Sequence, residues 1–191
     1  MEEKIRVLLV DDDIDFIFLI KKLINKDKRL ECTGYAQTGV IGIEVAKELK
    51  PDVVLMDLNL SGSELDGIDA AKKIKLETDA KVLLLTSFEQ PDIIINASKK
   101  AFASGYVYKS QCQTLADTIY ITATSVSPQE LFIKEMILNE LTSAEHGVIK
   151  DIAGGVIAAS SFSTIANQKT SIFRKLGIKS TDELVRVIKN W

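Results

Sequence analysis

The chain has little of the chemistry that small metal or disulfide proteins depend on: its 191 residues include one His, two Cys, one Trp and three Pro. A lone His146 and two distant cysteines, Cys32 and Cys112, exclude a Cys/His zinc site and a disulfide scaffold. Both thiols read as small hydrophobes in a reducing cytoplasm. No apolar run approaches the ~18 residues that span a bilayer, and no signal peptide is visible. The expectation is therefore a cytoplasmic protein with no membrane partner. A strong basic surplus is missing as well. The net charge is −3, with the acidic excess in residues 1–125 and a nearly balanced tail over 126–191. That tail does not by itself announce nucleic acid. No internal repeat or low-complexity segment is present. What remains is 46% apolar and 27% charged, an ordinary globular composition with room for one large domain or two small ones.

Apolar runs alternate with helical periodicity through the first two thirds of the chain. Ile5–Val10, Leu30–Tyr35, Val53–Met56, Lys81–Thr86 and Gly105–Tyr108 read as five short strands. Helical spacing follows each: Ile14 to Asn25, Val40 to Leu49, Gly67 to Leu76, Pro91 to Phe102, and Ser110 to Thr124, the last opened by a Ser110/Gln113 capping pair. Five strands alternating with five helices imply right-handed crossovers and a flavodoxin-like, doubly wound, five-stranded parallel sheet. The pattern stops near Ser125. Ser127, Pro128 and Glu130 form a helix start, Thr142/Glu145 and Ser180/Glu183 open two more helices, and Gly177 ends the one beginning at Thr164. The tail is a small all-α unit, and His146 inside it reads as a boundary residue rather than a catalyst.

In this topology strands one, three, four and five lie side by side at their carboxyl ends, where open α/β sheets hold their ligands. Asp11 and Asp12, Asp57, Thr86 and Lys109 would converge there. Taken singly, each has a plain reading: a helix cap, a strand-end hydroxyl, a surface cation. Together, three carboxylates would repel one another by several kcal/mol unless a divalent cation offset them, and hard oxygen ligands suit Mg²⁺. A lysine and a hydroxyl beside a metal-bound carboxylate suit phosphoryl transfer to Asp57.

Val10-Asp11-Asp12, Pro51-Asp-Val-Val-Leu-Met-Asp57-Leu-Asn59, Leu85-Thr86-Ser87 and Gly105-Tyr-Val-Tyr-Lys109 make a dispersed signature. It resembles the receiver domain of two-component response regulators. The resemblance implies that Asp57 is the phosphoacceptor and that Asp12 binds Mg²⁺ directly and Asp11 through water. It adds the Asn59 carbonyl as a further ligand, and Thr86, Tyr106 and Lys109 as switch residues. As a plain strand residue, Tyr106 would be a half-buried tyrosine with its hydroxyl at the rim. A sensor histidine kinase as partner and a homodimer on phosphorylation are also implied. The loop after Asp57 departs from the family pattern: Ser61 replaces the usual proline, and the segment to Gly67 is longer by about two residues, a tolerable surface change.

Leu141-Thr-Ser-Ala-Glu145-His-Gly-Val-Ile149 and Thr164-Ile-Ala-Asn-Gln-Lys-Thr-Ser-Ile172-Phe-Arg-Lys175-Leu-Gly177 resemble the LuxR/NarL-type DNA-binding domain. The implied organisation is a receiver over 1–124, a linker and first tail helix over 125–139, and a helix-turn-helix-like output domain over 140–191. Thr164, Asn167, Gln168, Lys169, Arg174 and Lys175 are the implied DNA-binding residues. Between Gly155 and Thr164 the chain is shorter than that family by roughly seven residues, most of the helix that crosses the DNA backbone. Two outputs therefore stand: a DNA-binding transcription regulator, or a phospho-switched protein-interaction module with a degenerate helix-turn-helix. Met56–Ser61 also resembles the nucleophile motif of haloacid-dehalogenase-type phosphatases, but Asn59 stands where that motif has its second aspartate. No metabolic enzyme activity is expected, only the receiver's own phosphorylation and dephosphorylation.

Overall fold

The computed structural model describes residues 3–60, 64–88, 90–154 and 162–189. They form two compact units, Met1–Ile133 and Lys134–Trp191.

The first unit has five strands, β1 (Ile5–Val10), β2 (Leu30–Ala36), β3 (Val53–Asp57), β4 (Lys81–Thr86) and β5 (Gly105–Tyr108), of which β1, β3 and β4 carry continuous buried apolar runs. All pair in parallel, in the order β2-β1-β3-β4-β5. Helices α1 (Ile14–Lys26), α2 (Gly39–Leu49), α3 (Glu64–Glu77), α4 (Pro91–Ala101) and α5 (Leu115–Thr124) make the crossovers. The two-residue period of a strand sends alternate side chains to opposite faces. Val7, Leu9, Val53, Leu55, Leu83 and Leu85 accordingly pack with Ile17, Ile20 and Ile24 of α1 and with Leu115 and Ile119 of α5. Leu8, Val10, Val54, Met56, Val82 and Leu84 face the other way, onto Ala46, Ala71, Ile74, Ala97 and Ala101 of α2, α3 and α4. This is the doubly wound architecture the strand-helix alternation predicts.

The one departure in element order follows β5. A single helix from Ser110 is predicted, yet a 3₁₀ turn spans Lys109–Thr114, broken at Gln111 (φ −113°, ψ 35°), before α5 begins at Leu115. Local side chains satisfy the tight turn: Cys112 Sγ donates to Lys109 O (2.9 Å) and Thr114 Oγ1 to Gln111 O (3.3 Å). Those bonds compete with an α-helical start, as short polar side chains do near helix ends.

Helix α6 (Pro128–Leu138) begins in the first unit and ends in the second. Its start follows the sequence signature, with Ser127 Oγ accepting the Glu130 N–H at 3.0 Å. The second unit is helical: α7 (Ser143–Gly154), α8 (Phe162–Leu176) and α9 (Thr181–Ile188). Val148, Ile149, Ile172, Leu176, Ile178, Leu184 and Val187 are buried in it. The Thr142/Glu145 box is reciprocal: Thr142 N donates to Glu145 Oε2 (2.7 Å) and Glu145 N to Thr142 Oγ1 (3.3 Å). Gly177 takes φ 61°, which a side chain would resist, and lets Ile178 N donate back to Phe173 O at 3.0 Å. The shortened stretch between Gly155 and Thr164 lies outside the described residues over 155–161, as do Ser61 and Gly62 of the loop after Asp57. No helix among the described residues is long and apolar enough to cross a membrane.

Candidate functional site

The three aspartates that close β1 do different work. Asp13 is the N-cap of α1, accepting from Asp15 N (2.9 Å) and Phe16 N (3.1 Å). Asp11 is wholly buried and accepts the Asp13 N–H at 3.0 Å, while Asp12 between them is exposed. Asp57 ends β3 at 3% exposure, and its Oδ1 accepts the Asn59 N–H at 3.2 Å. One carboxylate oxygen each from Asp11, Asp12 and Asp57 lies within 4.8 Å of the others.

Lys109, at the exit of β5, brings its ammonium to this cluster. Its Nζ donates to Asp57 Oδ2 at 2.9 Å, lies 2.7 Å from Asp11 Oδ2 and sits 4.5 Å from the Phe16 ring centroid. Burial pulls the Lys109 pKa down, but the two carboxylates outweigh it and the pKa is raised; the lysine stays charged. Burial is also the largest influence on Asp11, whose carboxyl is pushed up, with the adjacent Lys109 ammonium working against it and the neighbouring Asp57 charge adding to it.

The cluster suits a hard divalent cation. The Lys109 ammonium faces the buried carboxylates of Asp11 and Asp57, and Asp11 Oδ2, although buried beside that ammonium, receives no directed hydrogen bond. An all-oxygen donor set with an open buried lone pair is what Mg²⁺ takes.

Thr86 ends β4, fully buried, its Oγ1 accepting the Phe88 N–H at 2.9 Å and keeping its own proton to donate elsewhere. Tyr106 is half-buried on β5, paired in register with Leu84 and set edge-on to Tyr108 at 5.8 Å between centroids. Sequence reasoning missed two residues here. Phe16 carries no signal in the sequence, and only the fold turns its ring to Lys109. Gly67, in the first part of α3, sits so close to β3 that a Cβ would strike the Asp57 carbonyl oxygen and come within 2.9 Å of Leu58 O. Its signal was the Asp66-Gly67 pair, which reads as loop punctuation.

The residues expected to touch DNA lie along α8. Thr164, Asn167, Arg174 and Lys175 are exposed, and Gln168 and Lys169 are half-buried. Lys175 Nζ donates to the capping-box Glu145 Oε2 at 2.7 Å. Burial pushes the Glu145 carboxyl up, yet that ammonium and the Thr142 amide outweigh it and hold the pKa down at about 2.

Residues 7–120 match the sequence profile of the response regulator receiver domain. The chain is 31% identical, over 94% of both partners, to a nitrate/nitrite response regulator protein homolog of Haemophilus influenzae. It is 28% identical to the transcriptional regulatory protein YdfI of Bacillus subtilis, over 95% of this chain and 94% of that one. Its fold superposes on the crystal structure of a LuxR-family two-component response regulator from Aurantimonas with a TM-score of 0.58 at 29% identity, over 70% of this chain and 98% of that one. Four strand ends in parallel order, a profile match over the sheet and full-length relatives agree: the chain belongs to the receiver-domain response regulators of the NarL/LuxR family.

Proposed function

We propose that the chain accepts a phosphoryl group on Asp57 from a sensor histidine kinase, with Mg²⁺, and regulates transcription through a DNA-binding C-terminal domain. The domains in this reading are a receiver over 1–124, a linker with the first tail helix over 125–139, and an output domain over 140–191. The observation that carries most weight is the Lys109 ammonium shared between Asp57 Oδ2 at 2.9 Å and Asp11 Oδ2 at 2.7 Å. A half-buried cation beside a buried carboxylate nucleophile is arranged for an incoming phosphoryl group, not for fold stability alone.

An Asp57 carboxylate oxygen attacks phosphorus in line. The bond from phosphorus to the donor imidazole nitrogen breaks, and that nitrogen keeps the electron pair and takes up a proton. Lys109 exchanges its carboxylate contacts for a phosphoryl oxygen, and the Thr86 hydroxyl donates to another. Tyr106 then follows Thr86 inward, which alters the β5 face and favours a homodimer. Asp11, Asp12, Asp57 and the Asn59 carbonyl would hold Mg²⁺, whose charge would offset that of the phosphoryl group. Chemistry at the receiver is limited to its own phosphorylation and dephosphorylation.

Phosphate-affinity electrophoresis after treatment with acetyl phosphate and Mg²⁺ tests the input half. A retarded band is expected in the wild type and lost in Asp57→Asn and on chelation; a wild type that never shifts overturns the reading.

A second output, a phospho-switched protein-interaction module with a degenerate helix-turn-helix, is favoured by one observation. Lys175, among the few cations of the tail, is committed to Glu145 at 2.7 Å. Neutralising phosphates supplies most nucleic-acid affinity, so each committed cation counts. Fluorescence anisotropy with random duplex DNA separates the two. Affinity that weakens steeply as salt rises supports DNA binding, and no binding at low salt supports the module.

A further inference from the structure

Strand β5 is four residues long, about 13 Å, and it is tied at both ends. Its exit carries Lys109 to Asp57 and Asp11 at 2.9 and 2.7 Å. Its start is held by α6. Ser127 Oγ donates to Ser104 O (3.2 Å), and the Tyr106 N–H donates to Gln129 Oε1 (3.0 Å). Among the described residues β5 is an edge strand paired with β4 alone, so Gln129 supplies an acceptor that a further strand would otherwise provide.

The seat is built for close contact. At Gly105, a Cβ would fall 2.5 Å from Gln129 Oε1 and 3.0 Å from Leu83 Cδ2, so the helix lies as near as glycine permits. Beneath it, Glu130 is 6% exposed and pairs with Lys81 at 3.1 Å, while Lys81 Nζ also donates to Ser125 O at 3.0 Å. Lys75, 3% exposed, feels the same Glu130 charge, which offsets part of the pull of burial on its pKa, down to about 8. Buried Lys75 and half-buried Lys81 around one buried glutamate anchor the first turn of α6, whereas Gln129 grips β5 through a single neutral hydrogen bond. The anchor is strong and the grip is reversible.

We propose that the first turn of α6 is a latch on the outer edge of β5, engaged through Gln129 and Ser127 while Lys109 bridges Asp11 and Asp57, and loosened when a phosphoryl group on Asp57 redirects that lysine. The proposal rests on the phosphoacceptor reading of Asp57. Because α6 continues past Ile133 into the second unit, the latch lies on the covalent path from the receiver to its output. A signal passed through a strand this short needs no long chain of side chains, since both ends of β5 move as one body. The coupling is reciprocal: whatever loosens the latch also alters what Asp57 holds.

Hydrogen exchange of the full chain, with and without Mg²⁺ and beryllofluoride, tests this in the wild type, Gln129→Ala and Gly105→Ala. In the wild type, residues 127–131 should exchange about tenfold faster once the phosphoryl mimic is bound, alongside a change at 107–110. In both variants 127–131 should start fast and change little, while 107–110 still responds. A wild type in which 107–110 responds and 127–131 does not would overturn the latch and leave the Asp57 reading intact. So would variants whose 127–131 segment behaves as in the wild type. Silence in both segments would take down the Asp57 reading and the latch together.

Discussion

Lys109 stands 2.7 Å from Asp11 Oδ2 without giving it a directed hydrogen bond, reserving that bond for Asp57 at 2.9 Å. The lysine thus balances two buried acids while fully satisfying one. Its replacement separates these roles. Lys109→Ala leaves Asp11 and Asp57 buried without their cation, and breaking such a pair costs about 3 kcal/mol. In urea unfolding without Mg²⁺ the variant should be destabilised by about that amount. Mg²⁺ should then stabilise the variant more than the wild type, because the cation that competes for the carboxylates is gone. Equal gains in both proteins would show that the ion does not share the lysine's partners.

Gly67 tests how closely α3 must approach the nucleophile. The Cβ of an alanine would meet the Asp57 and Leu58 carbonyl oxygens, both backbone, so no side chain can swing away to make room. Gly67→Ala should lower stability by about 2 kcal/mol through this overpacking. It should also slow phosphorylation by acetyl phosphate, since Asp57 itself must shift. Thermal unfolding and phosphate-affinity electrophoresis read the two effects separately. Unchanged phosphorylation in a destabilised variant would mean that α3 yields instead of β3.

The strands and the site were legible for one reason. Strands β1, β3 and β4 carry continuous apolar runs and β5 is a short strand, and Asp11, Asp57, Thr86 and Lys109 each stand where one of them ends, so topology alone predicts that they meet. Asp11 and Asp12, nearest the strand end, are the two of the triplet expected in the site, and both lie in the cluster while Asp13 caps α1. The seat of α6 was not legible. Ser127 announces a helix start, but nothing local announces that Gln129 will meet Tyr106, 23 residues earlier, or that Glu130 will meet Lys81, 49 residues earlier. The 3₁₀ turn after Lys109 was hidden behind a Ser110/Gln113 spacing that matches a capping box. There the cysteine and threonine side chains bond to carbonyls of the turn, and the box does not form.

Arg174 and Lys175 are adjacent cations on α8 with different commitments. Lys175 pairs with Glu145, whereas Arg174 is exposed. Lys175→Ala should therefore cost stability, about 2 kcal/mol, by leaving a buried carboxylate unpaired. Arg174→Ala should change stability by no more than about 0.5 kcal/mol. Under the DNA-binding reading, Arg174→Ala weakens duplex binding and lowers the salt slope by about one. Urea midpoints and anisotropy titrations at several salt concentrations distinguish the two substitutions. Equal effects on both readouts would refute the division of labour.

Glu145 makes the stability of the tail depend on acid. It accepts from Thr142 N and from Lys175 Nζ, each at 2.7 Å, and is 3% exposed. Burial pushes its carboxyl up, but Lys175 and the Thr142 amide prevail and lower it from the ordinary 4.5 to about 2. A carboxyl depressed in the folded state stabilises that state fully above the unfolded value and loses the contribution as pH falls through the folded one. The window is therefore from about pH 4.5 down to about pH 2. Glu145→Gln keeps an N3 side chain able to accept the Thr142 N–H and removes only the charge. At neutral pH the variant should be less stable by about 2 kcal/mol. Urea midpoints followed by circular dichroism should converge as pH falls through the window, because the wild type then loses the same charge. Curves that stay parallel down to pH 2 would place the acid sensitivity of the tail elsewhere than in this pair.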